Sequence, residues 1–227
     1  MRLLAIVPAR GGSKGIKNKN IYKINNKPLI QYTLEQIKGI REINKIIVSS
    51  DSKKIISFVK KFKYVESVVR PKFLAQDKSL VIDTLRHHVN FEKKNNRYYD
   101  YVLILSPTSP LRKKKHIIKS IKIVKRKKPD SLISVISLEK PLNWLLGVTK
   151  KGYLKEYLGS GSAFIRRQDA KKYFFPNGAI YILKVNKLSR NGYYFKRSIP
   201  FFMDYKSSID IDSIKDVKEM LSFKKKV

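Results

Sequence analysis

The chain has no cysteine, which excludes disulfides, thiolate catalysis and cysteine-ligated zinc. Histidine is nearly as scarce, at three residues. Two of these, His87 and His88, are adjacent on a helix-like stretch; neighbours of that kind cannot share one helix face, so a two-histidine metal site is not expected and one of the pair is read as packing. The single tryptophan, Trp144, reads as a core or dimer contact. Acidic residues are few, 17 against 51 Lys and Arg, for a net charge of +34. Apolar runs are short, none near the roughly 18–20 residues of a membrane span. The N-terminus lacks the length and cleavage site of a signal peptide. Cytoplasmic residence and no membrane partner are the expectations.

What the chain does contain is enough for a core: 42% of its 227 residues are hydrophobic and 11% are aromatic, consistent with one domain of residues 1–227. The positive charge would attract polyanions, so a nucleic-acid-binding protein is kept as a rival. The lysines are spread along the chain, however, which fits a lysine-heavy composition better than a nucleic-acid module with clustered charge and interleaved aromatics.

Short apolar runs alternate with helical patterns, as in an α/β domain with a mostly parallel sheet. Strands are predicted at Leu3–Pro8, Lys45–Ser49, Ser67–Val69, Tyr101–Leu105, Leu132–Ser137 and Ala179–Leu183. Helical spacing marks Ile30–Ile37, Lys53–Lys61 and Leu80–Glu92. It is clearest after Arg112, where Ile117, Ile121 and Val124 face one way and the lysines read as a solvated surface. From about Glu139 to Phe175 periodicity weakens, which suggests an excursion from the sheet and a candidate dimerisation element. Ser208–Asp212 then leads into a helix announced by the Ser213/Asp216 capping pattern.

Directly after the first strand runs Ala9-Arg10-Gly11-Gly12-Ser13-Lys14-Gly15-Ile16-Lys17-Asn18-Lys19-Asn20. Ligands of open α/β sheets sit beyond the carboxyl ends of strands, where this loop would lie. Its glycines admit an anion close to backbone N–H groups, and Arg10, Lys14 and Lys19 add charge. The spacing fits neither the P-loop nor the dinucleotide fingerprint. As spacing alone, it could equally be a basic turn.

The loop resembles the signature of the acylneuraminate cytidylyltransferases, the CMP-sialic acid synthetases and their relatives for other nonulosonic acids. The likeness continues in order through Arg70-Pro71 with Leu74-Ala75 and Asp77, Pro107-Thr108-Ser109-Pro110-Leu111-Arg112, Arg167-Gln168, Asn177-Gly178-Ala179-Ile180-Tyr181 and Ser208-Ile209-Asp210-Ile211-Asp212. The resemblance implies a Rossmann-like sheet of the nucleotide-diphosphosugar transferase type, CTP and an anionic 2-keto sugar acid as substrates, Mg²⁺ (with Mn²⁺ as an alternative) and a homodimer. It implies that Arg10, Lys19 and Asp210 are catalytic. Ala9, Arg10, Gly11, Gly12, Ser13, Lys14, Lys19, Asn20, Arg70 and Ser79 would bind the nucleotide. Ser106, Arg167, Gln168, Tyr181, Tyr193 and Tyr194 would line the sugar site, with Arg167 holding the carboxylate, a match for a planar guanidinium.

The last block also has a physical reading. In an extended Asp-Ile-Asp segment, Asp210 and Asp212 share a face, and two carboxylates beside a triphosphate are what Mg²⁺ uses. Asp212 could instead support the N-terminus of the next helix. Arg70 has a surface ion pair as its alternative. Thr108, Ser109 and Arg112 can be turn and capping residues between stiffening prolines, and Tyr193 and Tyr194 can be ordinary packing. The chain departs from its relatives at Ser106, where glutamine is common, at Lys17, where a proline is usual, and at Asn143, where some carry lysine. These departures leave the loop standing and shift the specificity pocket.

Overall fold

In the computed structural model the described residues are 1–13, 15–76, 78–158, 165–188 and 192–223. Seven strands form one mixed sheet. In chain order they are β1 (Leu3–Pro8), β4 (Lys45–Ser50), β5 (Glu66–Val69), β6 (Tyr101–Leu105), β7 (Ser131–Ser137), β10 (Phe174–Lys184) and β11 (Ser198–Phe202). Their spatial order is β11-β7-β10-β6-β1-β4-β5. All neighbours run parallel except β10, which lies antiparallel to both β6 and β7. Two small hairpins flank the sheet, β2–β3 (Lys23–Ile24, Lys27–Pro28) and β8–β9 (Leu146–Val148, Leu154–Glu156).

The strands bury both faces. In β1, Leu3, Ala5 and Val7 pack under α1 (Leu29–Ile37), α2 (Lys53–Val59) and α4 (Lys114–Lys127). Leu4 and Ile6 pack under α3 (Val81–Lys94) on the other side. That two-sided burial explains a continuous apolar run where an alternating one would mark a half-wet sheet. The stripe on α4 is as its spacing requires: Ile117, Ile121 and Val124 are fully buried while Lys115, Lys119, Lys122 and Lys125 stand in solvent. A third cluster joins Ile16 of the first loop to Ile209, Ile211, Val217 and Met220 at the far end of the chain, around α5 (Ile214–Ser222). The two ends of the sequence are thereby packed together beside the carboxyl ends of β1 and β6.

The sequence pattern places most of these elements. It misses β11, an edge strand interrupted by Pro200, and starts β10 late, because β10 is bent by a register shift between Pro176 and Tyr181. Ser208 closes a 3-10 turn (Lys206–Ser208), and the chain is extended only from Ile209, joining no ladder before the helix. The excursion is the stretch between β7 and β10, and it carries the β8–β9 hairpin.

Candidate active site

The loop after β1 is organised by its own polar groups. Ala9 is buried and its N–H donates to the Ser49 carbonyl at 2.9 Å, so its donor is spent on extending the sheet. Gly11 N–H donates to Asp51 Oδ1 at 2.8 Å, and a Cβ there would stand 2.9 Å from Ser52 Cβ. Gly12 has open space around it. Ser13 donates its hydroxyl to the Ile16 carbonyl and accepts from Lys19 N–H at 3.2 Å. Asn20 is buried and its Nδ2 donates to the Arg10 carbonyl at 2.9 Å, closing the loop. Lys14 and Asp77 lie outside the described residues.

The segment from the far end of the chain lies against this loop. Ile209 and Ile211 are buried and Asp210 and Asp212 face outward, the alternation expected of an extended segment. Ile211 N–H donates to the Thr108 carbonyl at 2.8 Å, which ties the segment to the turn after β6. Lys19 Nζ and Asp212 Oδ1 form an ion pair at 2.6 Å. The helix start is served by Asp216 instead, whose carboxylate accepts from Asp212 N–H at 3.0 Å and Ser213 N–H at 2.7 Å. The side chain of Asp212 is thus turned to the loop.

Asp210 holds its proton more tightly than an ordinary carboxyl. Loss of solvation raises its pKa, Asp212 adds to that, and a hydrogen bond from Thr108 only partly opposes it. Thr108 in turn shares a 2.6 Å hydrogen bond with Ser106 Oγ. Below them Arg112, fully buried, donates to the carbonyls of Ser106 (3.1 Å) and Ala179 (2.7 Å), to Thr33 Oγ1 (2.7 Å) and to Gln36 Oε1 (3.1 Å). Burial lowers its pKa to about 9, with the Asp210 charge opposing.

Two cavities meet at Asp212. The first, about 430 Å³, is walled by Arg10, Gly12, Ser13, Lys19, Ser106 and Asp212 among others. The second, about 480 Å³, is walled by Asn177, Tyr181, Tyr205, Asp210, Asp212 and Glu219 among others. Basic groups line one and carboxylates the other. Tyr181 packs against Tyr193 at 5.0 Å between ring centroids with the rings tilted by 43°, and burial pushes its phenol up to about 12. Tyr194 is exposed. Arg167 and Gln168 stand in an exposed turn of the excursion and line neither cavity in the single chain. Ser79 donates to the Phe73 carbonyl at 2.8 Å and borders a separate hollow beside α3.

Arg70 is buried at the end of β5. Its Nε donates to Ser49 Oγ at 3.2 Å and its NH2 to the Ser49 carbonyl at 2.9 Å. Burial lowers its pKa, Asp51 raises it and Arg10 lowers it, which puts all three charges in one electrostatic neighbourhood. Asp51, Thr108 and Asp216 are the site residues that sequence reasoning missed. Two carried a signal that pointed elsewhere: the Ser213/Asp216 capping pattern to a helix start, and the prolines around Thr108 to a turn.

The carboxylate pair suits a divalent cation in one respect: Asp210 resists ionisation, chiefly because it is poorly solvated and in smaller part because Asp212 is close, and a cation would relieve both. Among the described residues no group of three or more His, Asp or Glu side chains could hold an ion, so phosphate oxygens and waters would have to complete the shell.

A three-layer mixed sheet with a basic loop and paired carboxylates at its carboxyl edge defines an α/β nucleotide-binding domain. The chain belongs to the cytidylyltransferase family, whose pattern matches residues 4–227. It is 30% identical over 229 residues to an N-acylneuraminate cytidylyltransferase of Escherichia coli, covering 99% of this chain and 52% of that protein. The chain therefore spans about half the length of that relative. It is 32% identical to the post-translational flagellin modification protein B of Campylobacter coli, over 95% of this chain and 92% of that one. It is 31% identical to a CMP-N,N'-diacetyllegionaminic acid synthase of Legionella pneumophila, over 94% and 92%. The fold is also that of a CMP:2-keto-3-deoxy-manno-octonic acid synthetase solved with CTP, at a TM-score of 0.72, 13% identity and coverage of 100% and 99%.

Proposed function

We propose that the chain transfers CMP from CTP to the anomeric 2-hydroxyl of a nonulosonic acid and releases pyrophosphate. The observation that carries this reading is the meeting of the Arg10–Lys19 loop with Asp210 and Asp212 around two adjoining cavities, one basic and one acidic. The names of the relatives, which include sialic, legionaminic and pseudaminic acid cytidylyltransferases, support it.

The triphosphate lies in the basic cavity against Arg10, Ser13 and Lys19, with Arg70 behind. The attacking hydroxyl forms a bond to the α-phosphorus as the bond to the pyrophosphate oxygen breaks, and the hydroxyl proton is lost to solvent. Arg10 and Lys19 meet the charge that grows on the leaving group, and Asp212 keeps Lys19 at the cavity wall. Asp210 and Asp212 would hold Mg²⁺, or Mn²⁺, whose part when bound is charge neutralisation and polarisation of phosphoryl oxygens. No histidine lines either cavity, so no general base is assigned. Tyr181, packed against Tyr193, forms a wall of the sugar pocket, and Ser106 sits where the two substrates meet.

The sugar carboxylate needs a cation, and among the described residues none lines the acidic cavity. Arg167 supplies it if the excursion closes or pairs with a second copy. The β8–β9 hairpin favours a homodimer: Val148, Tyr153, Leu154 and Tyr157 expose 69–70% of their surface, an apolar patch of the kind that marks an interface. Pyrophosphate release with CTP and a panel of nonulosonic acids tests the reaction. Turnover of one acid with CTP and not with ATP is the expected result; no release with any acid and Mg²⁺ or Mn²⁺ would overturn it.

A further inference from the structure

Behind the basic cavity is a buried polar chain that the reaction as described does not use. Ser49, near the carboxyl end of β4, is fully buried, and so is His88 on α3. His88 Nε2 lies 2.7 Å from Ser49 Oγ, and Arg70 Nε donates to that same oxygen at 3.2 Å. Among the described residues these are the only hydrogen-bond partners of the Ser49 hydroxyl. Since Arg70 can only donate, Ser49 Oγ accepts from it, and the serine proton is left for His88 Nε2. The arrangement closes only if His88 is neutral and carries its proton on Nδ1.

We infer that His88 and Ser49 are positioning residues for Arg70: the histidine turns the serine hydroxyl so that its oxygen faces the guanidinium and aims Arg70 at the nucleotide. The rest of Arg70 is held by the Ser49 carbonyl at 2.9 Å and by its own N–H to the Ser50 carbonyl at 2.8 Å. Its Nε and one NH2 are therefore committed inward, and the remaining N–H groups are those available to an anion. Burial, with the charges of His87 and Arg70, lowers the pKa of His88 to about 4, in keeping with an imidazole that accepts rather than donates. A basic residue buried beside Arg70 would otherwise be a second positive charge against the first. As an acceptor it is compatible with a cation two bonds away.

The role assigned to Arg70 rests on the reading of the cleft as a CTP site, so two kinds of measurement are needed. His88→Phe keeps the ring and removes the acceptor; His88→Gln puts an amide oxygen near the position of Nε2. His88→Phe and Ser49→Ala are expected to raise the KM for CTP roughly three- to tenfold, the worth of one hydrogen bond, with the KM for the sugar acid unchanged and His88→Gln near wild type. In an Arg70→Ala background, His88→Phe should add nothing further. Additive effects, or a fall in melting temperature with no change in KM, would overturn the inference. Independently of turnover, ¹⁵N NMR of the nucleotide-free protein should find His88 neutral with the proton on Nδ1. A proton on Nε2 would overturn the relay, whereas a wild-type chain with this tautomer and no CTP binding would overturn the nucleotide reading instead.

Discussion

Gly15 gives the sharpest test of how the two chain ends build the cleft. A Cβ on Gly15 would overlap the backbone carbonyl of Asp212, while one on Gly12 would meet nothing within 4 Å. Neither glycine has a left-handed φ, so backbone strain does not enter and space alone separates them. The obstacle at Gly15 is main chain that is itself anchored, by Ile211 N–H to Thr108 and by Asp212 N–H to Asp216. It cannot swing aside as a side-chain tip would. Gly15→Ala should therefore cost about 1–3 kcal/mol, the range for an added methyl in a packed site. For a chain of this size that is roughly 2–4 °C of melting temperature per kcal/mol. Gly12→Ala should leave stability unchanged or raise it by up to about 1 kcal/mol, through the unfolded state. The displacement at Gly15 also parts Lys19 from Asp212, so CTP affinity should fall along with stability. Thermal unfolding by circular dichroism, with and without CTP, reads both effects. Equal melting temperatures and CTP affinities for Gly15→Ala and wild type would refute the contact, and so would a Gly12→Ala that is as unstable as Gly15→Ala.

Asp210→Asn keeps the size of the side chain and removes its charge. Turnover should fall by roughly 10²–10³, yet stability should hold or rise, because poor solvation already disfavours the ionised form. Pyrophosphate release measured beside thermal unfolding separates the two, and an active variant would take Asp210 out of the chemistry. Glu92 is a different case, far from the cleft. It is fully buried, 2.7 Å from Arg97 and 2.8 Å from Lys45. Burial alone would raise its pKa, but hydrogen bonds from Arg97 and Lys45 bring it down to about 2. A carboxyl with a depressed folded pKa stabilises above its unfolded value, here 4.5, and that stability drains away as pH falls from 4.5 towards 2. Glu92→Gln should lose about 1.5–3 kcal/mol at pH 7, as for a hydrogen bond to a charged group, and much less at pH 3. Urea unfolding at the two pH values checks it; an equal loss at both would show that the charge is not the cause.

How much of this could be read from the chain depends on how local the cause is. The strand runs and the α4 stripe are local patterns, and Leu3–Pro8, Tyr101–Leu105 and the Ile117–Ile121–Val124 face appear where periodicity puts them. The alternation of Asp210 and Asp212 about Ile211 was legible for the same reason. Contacts across the sequence were not. That Gly11 spends its N–H on Asp51, and that Gly15 makes room for the backbone of Asp212, follow from packing between segments 40 and 197 positions apart. Thr108 reads as a turn residue from its prolines and becomes a partner of Asp210 only when β6 and the chain's end are side by side. One of His87 and His88 reads as packing, and the structure buries His88, but the role of its ring nitrogen was invisible without Ser49. The edge strand β11 was hidden by Pro200, since a proline in a short apolar run counts against a strand unless the N–H it lacks faces away from the ladder.

Arg112 shows how the turn reading and the site reading of one motif can both hold. It ends the Pro107–Arg112 run, yet its side chain is fully buried and spends its donors on four neutral acceptors: two carbonyls, a threonine hydroxyl and an amide. These belong to α1, to the turn after β6 and to β10, which are the elements that frame both cavities. Its lowered pKa, to about 9, records a poorly solvated cation, and the one opposing charge is Asp210. A buried cation without a contacting carboxylate is costly, and lysine in its place could not reach four acceptors from one nitrogen. The fork geometry of arginine is what satisfies the site. The same guanidinium has the Asp210 carboxylate as its one opposing charge, which ties the clamp to the acidic side of the cleft. Its structural role and its electrostatic role are thus a single arrangement: the clamp that fixes Ser106 and β10 is a buried cation whose charge is answered from the cleft by Asp210.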